Sequence, residues 1–380
     1  MEEQRRARPG IPFGRVAGVP VFLTGSWLVL AVGLVFAYGT YLQVRLPAPL
    51  GYLVGAGLVA GLTASVLLHE LGHAFVARHL GMGVRGITLN LRGGYTELAG
   101  EAPSPRVELA VSLAGPAVSL ALGLLALVFA LLLPVDTLAH TLAGQLAFAN
   151  LVVAAFNVLP GLPLDGGRAL RAGIWALSHD RYRGDRVAGR VGRVLAVGSV
   201  LAAFGLYLAN VIGFLGAVLT IMVALTLWAG AGQSIRAGEL GPRVPLLDAR
   251  QLARPILPVH PDTPLSEALR RYADAAAPAE GRAAPVLGVV NSAGQLVGLV
   301  DETAASRVPA ERQPWVTAGT VSRALAPGRI LPAELTGLAL VEAVRSSPAS
   351  EYVVTVGEDV LGVLRVADVM QVLESRGPTR

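Results

Sequence analysis

The chain contains no cysteine and no lysine; all 31 of its basic residues are arginine. Without cysteine there is no disulfide framework, no thiol nucleophile and no cysteine-rich metal site. Charge is scarce too, at 15% against 53% hydrophobic residues, with a mean hydropathy of +0.58. Soluble domains carry more charge and less apolar surface, so lipid must solvate much of this chain. The apolar surplus lies in the first two-thirds; after Gly241 the composition is that of an ordinary soluble domain. The net charge of +5 fits cytoplasmic flanks that face anionic lipid and does not call for nucleic acid. No cleavable signal peptide is expected, because residues 1–15 are polar and the apolar run that follows is too long.

What is present is Leu67-Leu68-His69-Glu70-Leu71-Gly72-His73-Ala74-Phe75, a His-Glu-x-x-His pattern inside an apolar stretch from Gly51 to Val76. At helical spacing His69 and His73 stand one above the other, so both imidazoles can reach one ion. Two neutral imidazoles suit zinc, and Glu70 beside the first can take a proton from a water at the metal. Packing these groups for stability alone is disfavoured, since ionisable side chains deep in a bilayer are costly.

Arginines cluster before the first apolar span and after the second, fourth and sixth. The positive-inside rule then predicts six spans with both termini cytoplasmic. The expected spans are 19–42, 52–79, 107–133, one starting near Leu142, 194–209 and 211–231, with a tight turn at Asn210. His69 falls about seventeen residues into the second, roughly 25 Å from its outer end, hence in the cytoplasmic half of the bilayer. Between spans two and three, Ile87-Thr88-Leu89-Asn90-Leu91 alternates like a short strand and ends at Gly93-Gly94. The fourth span runs into Asn157-Val158-Leu159-Pro160-Gly161-Leu162-Pro163-Leu164-Asp165-Gly166-Gly167, which cannot continue as a regular helix. The densely basic 168–193 is expected to be cytoplasmic.

A catalytic zinc usually takes a third protein ligand. His79 has the spacing of the last histidine of the extended metzincin signature, but Val76 replaces the glycine that lets the backbone turn back. Its helix should continue, leaving His79 about 9 Å farther along the axis than His73. His140 lies in an outer loop, and His179 and His260 fall in cytoplasmic or soluble segments. Asp165 sits in the broken turn, where it is either a ligand or an ordinary turn aspartate.

His69-Glu70-x-x-His73, Asn157-x-x-Pro160-x-x-x-Leu164-Asp165-Gly166 and the intervening Gly115-Pro116-Ala117-Val118-Ser119 together resemble the site-2 protease family of intramembrane zinc metalloproteases, over residues 10–235. The resemblance implies one zinc held by His69, His73 and Asp165, with Glu70 as general base. It implies that Asn157 positions a substrate strand or stabilises the oxyanion. Some members carry Asn where Ser119 stands.

Beyond Gly241-Pro242 two similar units follow, about 249–308 and 317–373, each with the order strand, helix, strand, strand, helix. They resemble a tandem pair of cystathionine-β-synthase (CBS) domains. Such pairs often bind adenine nucleotides through a hydroxyl residue and a downstream Asp. Here the second unit keeps Asp368 but has Arg365 at the hydroxyl position, and the first has Asp301 and Ala304 at the corresponding places. Nucleotide binding, dimerisation and substrate docking all remain open at this point. A surface loop is expected at 278–284.

The expected architecture is a polytopic α-helical membrane protein, with a short β element after the second of six transmembrane helices, followed by a soluble α/β tandem CBS module. The boundaries are 1–240 for the membrane domain and 241–312 and 313–380 for the CBS units. The expected activity is hydrolysis of a peptide bond in or near the transmembrane segment of a single-span membrane protein, such as an anti-sigma factor or signalling protein. Leu89, Asn90 and Leu91 are expected to hold the unwound substrate by edge pairing. A homodimer through the CBS units is expected, with no nucleic acid partner. The all-arginine, Ala-, Gly-, Val- and Pro-rich composition suits a GC-rich bacterium, and so the bacterial plasma membrane. The rival class is a CBS-gated transporter or channel, which also explains a broken span and buried charge. It needs neither paired histidines one turn apart nor a glutamate beside them.

Overall fold

The computed structural model describes residues 10–44, 46–91, 93–276, 284–324 and 328–374. Arg5, Arg6, Arg8, Arg45 and all but the last residue of the expected loop at 278–284 lie outside the described residues. The chain forms two compact units, Met1–Glu239 and Leu240–Arg380.

The first unit opens with β1 (Ile11–Val16) and β2 (Val19–Leu23), followed by α1 (Gly25–Leu42) and α2 (Ala48–His79). The expected first span therefore loses its first turn and a half to a strand. Pro20 has no N–H to give a helix, and β-branched Val19 and Val21 bury beside Ile87, Leu89, Trp27 and Ala74. Thr24 ends the strand and starts the helix. Its hydroxyl oxygen accepts from the Trp27 N–H and its proton goes to the Leu89 carbonyl.

The strand expected after the second span is present as β3 (Val84–Asn90), which forms a hairpin with β4 (Gly93–Leu98), and the sheet order is β1-β2-β3-β4. The structure corrects the docking role read for Leu89, Asn90 and Leu91. β3 is an inner strand, and its stretch Ile87 to Leu89 pairs parallel with β2 and antiparallel with β4, which leaves no open side there. The Leu89 side chain is buried in the core, and Leu91 lies beyond the strand, its N–H bonded to Ser26. The open edge nearest the His-Glu pattern belongs to β4.

Next come α3 (Pro105–Leu132), α4 (Leu138–Val158), α5 (Asp165–Ser178), α6 (Arg181–Leu208) and α7 (Phe214–Leu240). Among the described residues six helices are long and apolar enough to cross a membrane: α1 to α4, α6 and α7. The backbone is irregular from Leu159 to Leu164, and the Leu162 N–H bonds to the Ala188 carbonyl of α6. Asp165 is the first residue of α5 and so follows the broken turn. The basic stretch 168–193 is helical except at His179 and Asp180. It forms most of α5 and the first three turns of α6, where Arg171 meets the buried carboxylates of Glu108 and Asp185. The turn at Asn210 has φ +53°, as its left-handed preference allows.

The second unit contains α8 (Ala249–Leu252), β5 (Ile256–Val259), α9 (Leu265–Ala275), β6 (Val286–Val290), β7 (Leu296–Val300), α10 (Glu302–Ser306) and β8 (Ser322–Ala324). It continues with β9 (Ile330–Pro332), α11 (Gly337–Ser346), β10 (Glu351–Val356), β11 (Asp359–Arg365) and α12 (Val366–Glu374). The sheets run β5-β6-β7-β8 and β11-β10-β9, and both pair a parallel strand with an antiparallel hairpin, so the internal repeat is visible in the topology. The halves exchange segments. β8 pairs with β7 although it follows residue 312, while Leu247 and Ala249 sit in the core of the second half with Tyr352 and Leu364. A cut between 312 and 313 therefore separates neither core.

Candidate metal centre

One helical turn of α2 sets the His69 and His73 rings 4.9 Å apart, nearly edge to face. Both are buried, as is Glu70 between them in sequence. α5 brings in Asp165, and the His69 Nε2, His73 Nε2 and Asp165 Oδ2 atoms lie 3.2 Å from one another in all three pairings. The far sides of the two rings are fixed. His73 Nδ1 is 2.7 Å from the Val111 carbonyl, which can only accept, so a neutral His73 carries its proton there and turns a lone pair inward. His69 Nδ1 is 2.8 Å from the Ser119 hydroxyl.

Three possible ligand atoms thus converge, and with both ring lone pairs turned inward the group could hold a cation. Tetrahedral ligands at the usual zinc distances of ~2.0–2.1 Å sit about 3.3 Å apart, so the donor set fits this metal. These three are the His, Cys, Asp and Glu side chains grouped closely enough for a metal among the described residues. His79 is not one of them; it ends α2 with its ring stacked on Phe75. Gly115 of α3 lies against the two imidazoles, and a Cβ there would overlap both Nε2 atoms.

Glu70 is held from the other side. The Thr96 hydroxyl of β4 is 2.7 Å from Glu70 Oε2 and 3.0 Å from its carbonyl oxygen. A Cβ at Gly94 would come within 2.6 Å of Glu70 Cγ and 2.8 Å of Oε1. Asn157 is half-buried in the last turn of α4, and its amide makes no hydrogen bond to a described residue.

Sequence reasoning missed much of this surround. Ser119, Thr96 and Gly94 are ordinary residues until the fold brings them to the histidines. Two others carry a usable signal, being polar groups in apolar spans. Asn150 of α4 donates to Ser65, one turn before His69 on α2. Glu108, buried at the start of α3, receives Arg171 of α5, which also bonds Asp185 of α6 at 2.9 Å. This cluster anchors the helix that carries Asp165.

A metal-dependent hydrolase set into a bundle of membrane helices is the class that this fold and donor set define. Residues 57–146 match the model of peptidase family M50, and residues 249–310 match that of the CBS domain. Rip3 of Mycobacterium tuberculosis, named as a zinc metalloprotease, is 33% identical over 97% of this chain and 93% of its own length. A protein of Synechocystis, sll0528, named in the same way, is 32% identical over 81% of this chain and 80% of its own. The site-2 protease from Methanocaldococcus jannaschii is similar in structure, with a TM-score of 0.43 and 28% identity, covering 60% of this chain and 95% of that one. The chain belongs to peptidase family M50, the site-2 proteases, and is a multi-pass membrane zinc metalloprotease with a CBS module.

Proposed function

We propose that this protease cuts a single-span membrane protein, such as an anti-sigma factor or signalling protein, in or near its transmembrane segment, at the cytoplasmic side of the bacterial plasma membrane. The observation that carries the reading is the triad of donor atoms at mutual 3.2 Å beside a buried glutamate. His69, His73 and Asp165 hold the zinc, which when bound supplies a Lewis acid and makes water nucleophilic near neutral pH. Glu70 accepts the water's proton and returns it to the leaving amide nitrogen. A substrate helix has its backbone hydrogen bonds satisfied and must unwind before its carbonyl is reachable. The open edge of β4 is the element to receive the unwound chain as an added strand, and the free amide of Asn157 is suited to the main chain or the oxyanion.

Both termini are cytoplasmic in this reading, and the CBS module serves regulation or homodimer formation. The test is co-expression with candidate single-span proteins. A shortened product should form with the wild type and fall at least ~100-fold in Glu70→Gln, whose zinc content stays unchanged. Near wild-type cleavage by Glu70→Gln would falsify the assignment of the base.

A further inference from the structure

The geometry points to Thr96 as a positioning residue for cleavage: it fixes the carboxylate of Glu70 from the same strand edge that is open to substrate. This rests on Glu70 being the base. The strand's alternation puts Gly94 and Thr96 on one face of β4, toward α2, and Tyr95 and Glu97 on the other. On the inner face one residue supplies room and the other supplies a donor. Gly94 leaves space where a Cβ would crowd Glu70 Cγ and Oε1, and Thr96 places its hydroxyl 2.7 Å from Oε2.

A threonine hydroxyl has one proton. The shorter contact is to the carboxylate, and a charged acceptor is the stronger, so the proton goes to Oε2, with the Glu70 carbonyl at 3.0 Å as a lesser partner. With Oε2 held, Oε1 beside Gly94 is the oxygen left to take and give the reacting proton. A free glutamate samples several rotamers, and holding one of them converts a search into a fixed approach. β4 pairs with β3 on one side only, so the other side can accept a strand. Substrate register and base orientation are then set by one short element, and neither can shift without the other.

The experiment uses the detergent-solubilised full-length enzyme and the labelled single-span protein that the wild type shortens and Glu70→Gln does not. Thr96→Val keeps the branched shape and strand preference but removes the donor; Thr96→Ser keeps the donor. The expected result is a kcat lower by roughly ten- to a hundredfold in Thr96→Val, with KM within about twofold, zinc content unchanged and most of the rate restored in Thr96→Ser. Loss of zinc in Thr96→Val makes the residue a structural support and overturns the proposal. So does a raised KM with unchanged kcat, or a Thr96→Ser variant as slow as Thr96→Val. Glu70→Gln, assayed alongside, separates the two ideas. If it still cleaves, the base assignment fails; if it is dead while Thr96→Val is fully active, only the role of Thr96 fails.

Discussion

Each unit holds a cluster of charged side chains, and the two clusters are built on opposite principles. In the membrane unit His69, His73 and Asp165 bring three possible ligand atoms within 3.2 Å of one another, while the Ser119 hydroxyl and the Val111 carbonyl meet the far nitrogens of the two rings. In the CBS module Arg254, Arg323 and Arg365 each meet a carboxylate. Arg254 grips Asp368 through two bonds of 2.7 and 2.6 Å, and the carboxylate holds the guanidinium above its ordinary pKa. Arg323 joins Asp301 to Glu351, and Arg365 joins Glu351 to Glu302. Ligand atoms that converge on one point suit a cation, whereas the Arg254–Asp368 pair can take a new partner only by sharing or breaking bonds it already makes.

The largest effect tests the first half of that contrast. His69→Ala, His73→Ala and Asp165→Ala should each lower the zinc content from about one per chain and abolish cleavage, while His79→Ala leaves both intact. Elemental analysis of purified variants measures this. Full occupancy in Asp165→Ala would mean that the third donor lies elsewhere.

Next in size is the cluster that anchors α5. Glu108 is 1% exposed, and with it gone Arg171 keeps only Asp185. Glu108→Ala should destabilise the membrane unit by about 3 kcal/mol, the low end for a broken buried pair, because Arg171 loses one of its two carboxylates. Replacing Glu108, Arg171 and Asp185 together by apolar residues of similar volume should recover most of that loss. Thermal unfolding in detergent reads both. Equal damage from the single and triple variants would show that packing, and not the charge, is what matters there.

A smaller change is expected at Ser119. Its hydroxyl lies 2.8 Å from His69 Nδ1 and fixes the ring's orientation. Ser119→Ala should weaken zinc affinity by about 10- to 100-fold, the usual scale for partners of metal-ligating histidines, with little change in stability. Competition with a chelator measures it, and an unchanged affinity would confine the hydroxyl to packing.

How much of this was legible in the sequence follows from how far apart the partners lie. His69, Glu70 and His73 share one helical turn, so their geometry is set by local spacing alone. Asp165 lies 92 residues beyond His73, and by the residues alone it stayed balanced between ligand and turn. Thr96 and Ser119 lie 26 and 50 residues from their partners and carry no unusual chemistry, so nothing local marks them. Val19 to Leu23 passed for membrane helix because hydropathy does not distinguish a buried strand from a span. The exchanged segments of the CBS module were hidden for the same reason as Thr96: β8 and Ala249 find their partners across the fold.

The smallest expected effect is a null one, and it bears on the second half of the contrast. The resemblance to nucleotide-binding CBS pairs made Asp368 the natural ribose contact, but both of its carboxylate oxygens are given to Arg254. Asp301, at the matching hydroxyl position of the first half, caps α10 through the Thr303 and Ala304 N–H groups. A ribose hydroxyl would have to share oxygens that already accept two charge-assisted bonds from a guanidinium, and a neutral hydroxyl is the weaker partner. Calorimetry on the fragment 240–380 should therefore show no binding of ATP or AMP tighter than about 10 μM, or about −7 kcal/mol. Asp368→Asn should lower the fragment's stability by about 2 kcal/mol, since the pair is only partly exposed and the loss falls on a charged hydrogen bond. If ATP binds tightly and Asp368→Asn removes that binding, the Arg254 pair is a latch that the nucleotide opens, and the module is a sensor after all.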